Sequence, residues 1–312
     1  MTWDKHATDE LRAAQHVLTT MADADDLTMT LYEHWWVAAR PGGTAPGRWD
    51  PPLGWALRAA HSGGLDWSPE PCEVLTVGAY GAAVVADPPR RRALGRGDYL
   101  TTGAGAGLAP AVGSRLRISR RRGGHDDQGW WRTWGEEWRP ARPPDDLTRI
   151  YFAPRRIEVA RLVHELTRVI PRLTAQWALK VATDPAALDR ADAVVLYVPD
   201  GCRGNVFDVL YDACVEHVRN ASPPFTELLA PGISWSEDPG DGRSFGETRC
   251  AWLAEAYWRA DAHCSAFSEV AAEVFAEHGV DHRSPHLRSA APGSAHRVSP
   301  APALPALCEE RA

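Results

Sequence analysis

The chain has 312 residues and a formal net charge of −7. Its composition, 44% hydrophobic and 24% charged, is typical of a soluble globular protein with one or two domains. The acidic balance argues against nucleic acid as the main partner, and no apolar run is long enough for a membrane span or a signal peptide. The six cysteines are widely spaced and include no CxxC pair, which favours neither a zinc ribbon nor a disulfide framework. We therefore expect a cytoplasmic protein.

The first half of the chain predicts helices followed by short strands. Apolar residues at helical spacing predict two helices, over 8–22 and 25–39. Runs typical of strands, separated by glycine and proline, follow at 72–77, 82–86, 115–119 and 129–138. This pattern favours an antiparallel sheet. The proline-rich run 139–146 predicts the end of an N-terminal lobe, 1–145.

The second half is more regular and predicts a lobe over 146–280. Amphipathic patterns predict helices over 155–170 and 205–219, and strands are expected at 176–182 and 193–198. Residues 222–246 predict a loop, and 247–278 predict one long helix, either continuous or broken. The remainder, 281–312, has too little apolar content to fold and predicts a disordered tail. Together, the elements predict an α+β fold.

Lys180 stands out in a chain whose basic residues are almost all arginine, since only two of the 34 are lysine. The alternation of strand 176–182 places Lys180 on one face between Ala178 and Ala182, which leave space above its amine. A lysine can be tuned to lose its proton, whereas an arginine cannot. The alternative is an ordinary solvated lysine.

Two further groups could carry chemistry. Ser244 and Glu247 have the spacing of a capping box at a helix start, flanked by Arg243 and Arg249, which together would form an anion site. The alternative is an ordinary capped helix with two surface arginines.

The second group lies around the buried strand at 193–198. Arg190 and Asp192 precede this strand, and Tyr197 lies on one of its faces. The alternative reading is a salt bridge at a strand entrance with a core tyrosine. His278, His282 and His286 are spaced by four, but Gly279 and Pro285 interrupt any helix there, so we expect no metal site.

Several segments of the second half resemble a known family when they are taken in order. They include Arg-Ile-Tyr-Phe-Ala-Pro from residue 149, Trp-Ala-Leu-Lys ending at Lys180, a Val-Val-Leu-Tyr run ending at Tyr197, and Ser-Phe-Gly-Glu-Thr-Arg-Cys from Ser244. This pattern resembles the HopA-type type III effector family and its bacterial homologues in peptide natural-product clusters. The resemblance covers about 148–260; before it, only 31–36 and 129–132 are similar.

The resemblance implies two roles. Members from plant pathogens are delivered effectors that act on host proteins. Actinobacterial members accompany a phosphotransferase-like kinase in class V lanthipeptide and thioamitide pathways, where serine and threonine of a precursor peptide become dehydro residues. The arginine-rich, lysine-poor composition favours the second role, with a phosphorylated precursor peptide and the kinase as partners.

The implied chemistry is β-elimination of phosphate from phosphoserine or phosphothreonine. Lys180 would be the base, and Tyr197 or His34 would protonate the leaving group. The phosphate would be held by the helix start at Ser244 and by arginines 190, 243 and 249, with Asp192 and Glu247 in support. No cofactor or metal is required. The alternatives are a non-catalytic peptide-binding partner of the kinase, a cyclase, or an effector-like host-interaction protein.

Overall fold

The computed structural model describes residues 3–37, 51–65, 67–87, 90–119, 122–125 and 129–288. Within these residues the chain forms seven α-helices and two antiparallel sheets, which confirms the predicted α+β class. The helices are α1 (Lys5–Thr20), α2 (Leu27–Leu31), α3 (Pro51–Ala60), α4 (Val159–Val169), α5 (Arg203–Cys214), α6 (Phe245–His263) and α7 (Phe267–Glu277). None of the described helices is both long and apolar enough to cross a lipid bilayer.

The smaller sheet contains five strands. They are β1 (Cys72–Val77), β2 (Ala83–Asp87), β3 (Arg90–Leu94), β4 (Tyr99–Thr101) and β5 (Arg115–Ile118), in the spatial order β3-β2-β1-β5-β4. The larger sheet contains β6 (Arg122–His125), β7 (Trp130–Trp134), β8 (Leu147–Phe152), β9 (Ala178–Ala182), β10 (Val194–Pro199), β11 (Glu227–Ala230) and β12 (Ile233–Glu237). Its spatial order is β11-β12-β8-β10-β9-β7-β6.

The second predicted helix, 25–39, changes character along its length. It begins as α2 and continues as a π-helical turn, Tyr32–Trp36, in which the Val37 N–H donates to the Tyr32 carbonyl. Residues 38 and 39 lie outside the described part of the chain. Such π-turns occur frequently at functional sites.

Two predictions in the second half are corrected by the structure. Residues 222–246 are not all loop, because they contain the hairpin of β11 and β12, whose turn places Gly232 at a φ of +85°. The helix expected over 247–278 is two helices, α6 and α7. The first ends at Cys264, which adopts the left-handed conformation with a φ of +50°.

The larger sheet continues across residues 139–146, where the sequence predicted a lobe boundary. Strand β7 precedes this segment and pairs with β9, which follows it. The predicted disordered tail, 281–312, begins too early in the chain. Residues 281–288 pack on the fold, where the backbone carbonyl of His286 accepts a hydrogen bond from the Glu237 N–H. The rest of that predicted tail, 289–312, lies outside the described residues.

The two faces of the larger sheet differ in chemistry. On one face, apolar side chains such as Leu179, Leu196 and Phe152 are fully buried against α4 and α5 and form the main core. This face stabilises the sheet by hydrophobic burial, at about 25 cal/mol for each Å² of apolar surface removed from water. The opposite face carries the polar residues described below.

A second apolar cluster joins α1, α2, α6 and α7. Its contact with the π-turn depends on Gly246, because a Cβ at this position would collide with the indole ring of Trp36. Trp36 also packs against Phe245, with ring centroids 5.5 Å apart. This close approach fixes the π-turn beside the start of α6 and presents Tyr32 toward the polar face of the sheet.

Candidate functional site

A row of polar side chains crosses the larger sheet through Lys180. Residues paired directly across antiparallel strands share a face. Lys180 on β9 pairs with Arg132 on β7 and with Val195 on β10, and Val195 pairs in turn with Tyr151 on β8. Arg132 and Tyr151 therefore lie on the same face as the lysine, as do Ala178 and Ala182.

A second row runs parallel to the first. Tyr197 on β10 pairs with Arg149 on β8 and with Ala178 on β9. The Arg149 guanidinium lies 5.5 Å from the centre of the Tyr197 ring. Its Nε donates to Asp238 at 2.6 Å, and its Nη2 donates to the Arg243 carbonyl at 2.9 Å. These contacts join the loop that follows β12 to the polar face.

The Lys180 amine rests on an aromatic surface. Its Nζ lies 3.8 Å from the centroid of the Trp130 ring, a cation–π distance. Burial, with a smaller effect from the positive charge of Arg132, lowers the pKa of Lys180 from its ordinary 10.5 to about 8, whereas the charge of Asp192 acts in the opposite direction. At neutral pH a usable fraction of this amine is therefore unprotonated.

Arg190 and Asp192 form a buried, bidentate ion pair beside the lysine. Nε and Nη2 of Arg190 each donate to one Asp192 oxygen, both at 2.7 Å. The Arg190 guanidinium also lies 5.5 Å from the centroid of the same Trp130 ring. Burial acts to raise the pKa of Asp192, but the charge and hydrogen bonds of Arg190 outweigh it and hold this pKa below its ordinary range.

Tyr32 completes this side of the site. Its hydroxyl lies 3.4 Å from Nη2 of Arg190. Burial, with a smaller effect from the negative charge of Asp192, raises the pKa of Tyr32 to about 12. Burial likewise raises the pKa of Tyr197. Both phenols therefore remain protonated at neutral pH and are hydrogen-bond donors.

The capping box at the start of α6 is confirmed. The Ser244 hydroxyl accepts from the Glu247 N–H at 3.1 Å, and the Glu247 carboxylate accepts from the Ser244 N–H at 2.7 Å. These two side chains are therefore engaged with each other's backbone. The Arg243 side chain is exposed. The backbone carbonyl of Arg243 contacts the polar face, where it accepts a hydrogen bond from Arg149.

Arg249 and His34 are not among the main charges that act on Lys180, although Arg249 interacts electrostatically with Tyr151 on the polar face. Arg249 is 1% exposed, and its guanidinium donates to the Pro285 and Leu287 carbonyls at 3.0 and 2.7 Å. Burial lowers the pKa of Arg249 to about 9. His34 is exposed on the π-turn, whereas Tyr32 on the same turn reaches Arg190.

The structure thus brings four of the predicted residues together: Lys180, Arg190, Asp192 and Tyr197. It adds further side chains that the sequence did not single out, namely Tyr32, Trp130, Arg132, Arg149, Tyr151 and Asp238. Strand pairing is the signal for Arg132 and Tyr151, because both become neighbours of Lys180 once the register is known. Tyr32 comes from a distant helix and has no such signal.

The three histidines spaced by four pack on three different tryptophans. His278 stacks on Trp252 at 4.4 Å, His282 meets the edge of Trp3 at 5.1 Å, and His286 meets Trp235 at 4.8 Å. Burial lowers the pKa of His286 to about 4. These rings serve as aromatic packing for the C-terminal segment.

Comparison with known proteins gives a family match for this chain. Residues 128–287, just over half of the chain, match the HopA1 effector protein family. The chain belongs to this family. The matched region contains Lys180, Arg190, Asp192 and Tyr197, whereas Tyr32 lies before it. A comparison with curated proteins gives no match.

Two solved structures have a fold similar to that of this chain. One is the effector protein from Pseudomonas syringae pv. tomato strain DC3000, with 15% identity and a TM-score of 0.56 over 92% of this chain and 100% of that one. The other is the effector protein from Pseudomonas syringae pv. syringae strain 61, with 11% identity and a TM-score of 0.54 over 92% of this chain and 98% of that one. At these identities the likeness concerns the fold alone.

Proposed function

We propose that this protein is a phosphoserine and phosphothreonine lyase that acts on a ribosomal precursor peptide. The observation that carries the proposal is the Lys180 amine, which burial and neighbouring arginines hold at a pKa of about 8. A β-elimination needs a base that removes the Cα proton, and a base works best when its pKa lies near the working pH. Lys180 meets this requirement, and its neighbours on the same face of β9, Ala178 and Ala182, are small.

The charges around Lys180 are suited to a phosphate. The strongest electrostatic influences on the amine are Arg132, Asp192, Arg190 and Arg149, three cations against one carboxylate. Asp238 offsets part of the Arg149 charge. The remaining positive charge favours a group such as a phosphate monoester, which carries about −1.5 to −2 at pH 7. Arginine forks match phosphate oxygens. The forks of Arg190 and Arg149 already hold Asp192 and Asp238, so these two residues would act on the phosphate through their charge.

The proposed residues account for each proton and electron pair of the elimination. The neutral Lys180 amine takes the Cα proton, the C–H electron pair forms the Cα=Cβ double bond, and the Cβ–O bond breaks with its pair on the departing phosphate. Tyr197 or Tyr32 supplies a hydrogen bond or a proton to that oxygen, since both phenols are protonated at neutral pH. The products are a dehydro residue and inorganic phosphate, formed without a metal or organic cofactor.

The pathway is part of the proposal. Hydroxide is a poor leaving group, so the serine or threonine must first be phosphorylated by a separate kinase. The arginine-rich, lysine-poor composition favours the lanthipeptide or thioamitide setting, whereas the family that matches is one of effectors. The same chemistry on a host phosphoprotein would serve an effector.

A peptide library tests the activity directly. The protein is mixed with phosphoserine and phosphothreonine peptides, and the release of inorganic phosphate and the loss of phosphoric acid from the peptide mass are followed. We expect elimination by the wild type and a loss of about 10²–10⁴ in rate for Lys180→Arg, which keeps the charge but removes the base.

The alternatives give different results in the same assay. A peptide-binding module would bind the phosphopeptides and leave their mass unchanged. Elimination by Lys180→Arg at the wild-type rate would show that another group is the base. Loss of water from an unphosphorylated peptide, without kinase and ATP, would contradict the scheme altogether.

A further inference from the structure

One end of the smaller sheet is formed by two loops that carry no charged residue. Strands β1 and β4 end here, and β2 and β5 begin here, because these strands pair in antiparallel register. The Gly113 N–H donates to the Val74 carbonyl at 2.9 Å, which holds the loop between β4 and β5 beside β1. Residues 74–86 and 99–114 contain no aspartate, glutamate, lysine or arginine, in a chain that is 24% charged.

Large apolar side chains project into solvent from these two loops and the adjoining end of β1. They are Val77, Tyr80, Leu108 and Val112, with exposed fractions of 47%, 80%, 66% and 67%, and we refer to them as the apolar tip. A single exposed apolar side chain is normal in a soluble protein. Several at one end of a sheet mark a place of contact with another protein or with a membrane.

Tyr80 has an unusual backbone conformation. Its φ of +55° lies in the left-handed region, which residues with bulky side chains rarely adopt, and Gly81 follows at a φ of +76°. The Tyr99 hydroxyl donates to the Gly81 carbonyl at 2.7 Å and fixes this turn. Backbone strain of this kind is concentrated at functional positions. Packing within the protein does not explain it here, because the Tyr80 ring is mainly in solvent.

The loop between β4 and β5 projects from the fold. A Cβ placed at Gly103, Gly105 or Gly107 would meet no other described atom within 4 Å. The turns of this loop are closed internally, since the N–H groups of Ala106 and Leu108 each donate to the carbonyl three residues earlier. Backbone groups that are already paired do not have to be solvated when a loop enters an apolar phase.

Two exposed arginines lie beside the apolar tip. Arg115 begins β5 directly after the second loop, and a Cβ at Gly81 would lie 3.9 Å from the Cβ of Arg96. Glu73 pairs with Arg115 across the strands and offsets part of its charge. Arginines beside an apolar surface suit the anionic headgroups of a membrane. A lipid surface also accepts projecting loops without a complementary groove, whereas a protein partner would have to supply one.

We propose that the apolar tip inserts into the surface of a membrane that contains anionic lipids and docks the protein there peripherally. Leu108 and Val112 enter the boundary of the acyl chains. The Tyr80 ring lies at the level of the headgroups, where aromatic rings with a polar group are favoured. Arg96 and Arg115 face the headgroup phosphates. The proposal does not rest on the lyase function.

Vesicle flotation tests this docking with the full chain. The probe is a vesicle made of equal parts phosphatidylglycerol and phosphatidylcholine, and the comparison vesicle contains phosphatidylcholine alone. We expect the protein to float with the anionic vesicles and to be partly released at high salt. The double change Leu108→Asp with Val112→Asp should weaken binding about tenfold or more, because both charges would have to enter the apolar region.

Another exposed apolar residue provides the matched control. Ile157 is 88% exposed and lies in the short helical turn between β8 and α4, outside the smaller sheet. Ile157→Asp introduces the same kind of charge and should float as the wild type does. The double change Arg96→Ala with Arg115→Ala should remove the preference for anionic vesicles. No flotation of the wild type, or equal losses at Ile157 and at the tip, would overturn the proposal.

Hydrogen exchange locates the contact. Anionic vesicles should slow exchange over 77–82 and 102–113 and leave α4 and α5 unchanged. A tip that binds a second copy of the chain would instead give a concentration-dependent dimer in analytical ultracentrifugation, which Leu108→Asp with Val112→Asp would abolish, and this result would overturn the lipid assignment. The same variant should eliminate phosphate from a soluble phosphopeptide at the wild-type rate, so the docking and lyase proposals fail separately.

Discussion

The hydroxyl of Tyr32 lies 3.4 Å from Nη2 of Arg190, although the two residues are 158 positions apart in the chain. Arg190 already gives Nε and Nη2 to Asp192, so the phenol adds a third contact at the side that faces the N-terminal helices. The π-turn that carries Tyr32 is fixed by the packing of Trp36 on Gly246. One turn of helix thus completes a site that is otherwise built on the sheet.

This relationship predicts a contrast within that turn. Tyr32→Phe removes the hydroxyl beside Arg190 and should lower kcat/KM for phosphopeptide elimination roughly fivefold to tenfold, the effect of one hydrogen bond to a charged group. His34→Ala, two residues away on an exposed position, should leave the rate unchanged. Steady-state kinetics and circular dichroism of both variants provide the check, and a larger loss for His34→Ala would move the leaving-group donor to the histidine.

Lys180→Met should stabilise the protein while it removes activity. Burial makes the protonated lysine unfavourable, and the drop of its pKa from 10.5 to about 8 corresponds to about 1–3 kcal/mol at neutral pH. This cost is fully present below pH 8 and disappears as the pH rises from 8 to 10.5, because the unfolded chain then loses its proton as well. The gain of Lys180→Met, measured by urea denaturation, should therefore shrink over this range. A destabilised variant would assign Lys180 to packing.

The rate of elimination should depend on pH through the same group. The unprotonated fraction of Lys180 grows as the pH approaches and passes about 8, so kcat/KM should rise with an inflection near that value. A profile recorded from pH 6 to 9.5 provides the measurement. A flat profile through pH 8 would show that this amine does not act as the base.

Asp192→Asn should destabilise the fold strongly. Arg190 is 1% exposed, and removing its counter-charge leaves a buried guanidinium without compensation, at a cost of about 3–5 kcal/mol. Because the pKa of Asp192 is held below its ordinary 3.8, the stabilisation is present at neutral pH and is lost as the pH falls through the lowered value. The double change Arg190→Met with Asp192→Leu should recover much of the stability but no activity. Urea denaturation of the three proteins measures this difference.

Arg249→Ala should act on the C-terminal segment and not on the chemistry. The guanidinium holds the carbonyls of Pro285 and Leu287, and it packs on the ring of Trp252 at 4.2 Å. Hydrogen exchange should become faster over residues 281–288, and the melting temperature should fall. The KM for a phosphopeptide should change little in the fraction that remains folded; a selective rise in KM would return Arg249 to the phosphate site.

The sequence allowed the local parts of this site to be predicted. The alternation of apolar and small residues placed Lys180 on the polar face of β9. The spacing of Ser244 and Glu247 identified the capping box. Both signals depend on neighbours a few residues apart. Arg190 and Asp192 were also recognisable as a pair because they lie two residues apart at the entrance of one strand.

The long-range parts could not be predicted. The four prolines and four glycines of residues 222–246 predict a loop, yet these residues contain the hairpin of β11 and β12, and Gly232 forms part of its turn. Arg132 and Arg149 were indistinguishable from the other arginines of an arginine-rich chain until strand pairing placed them beside Lys180 and Tyr197. The position of Arg249 beside the capping box predicts a phosphate ligand, but the guanidinium donates to carbonyls of the segment after Asp281.

The alternation of side chains in β9 makes the spacing of that strand as important as its composition. Leu179 and Val181 point into the core, and Lys180 between them points to the arginines. A single-residue deletion just before the strand would reverse which side chains face the core. The Lys180 ammonium would then lie in the core, and the isobutyl group of Leu179 would lie on the polar face. Substitutions on the polar face, by contrast, leave the apolar face untouched. Point mutations on the polar face can therefore change the chemistry of the site while the fold is kept. An insertion or deletion within one of these strands would disrupt both the site and the core.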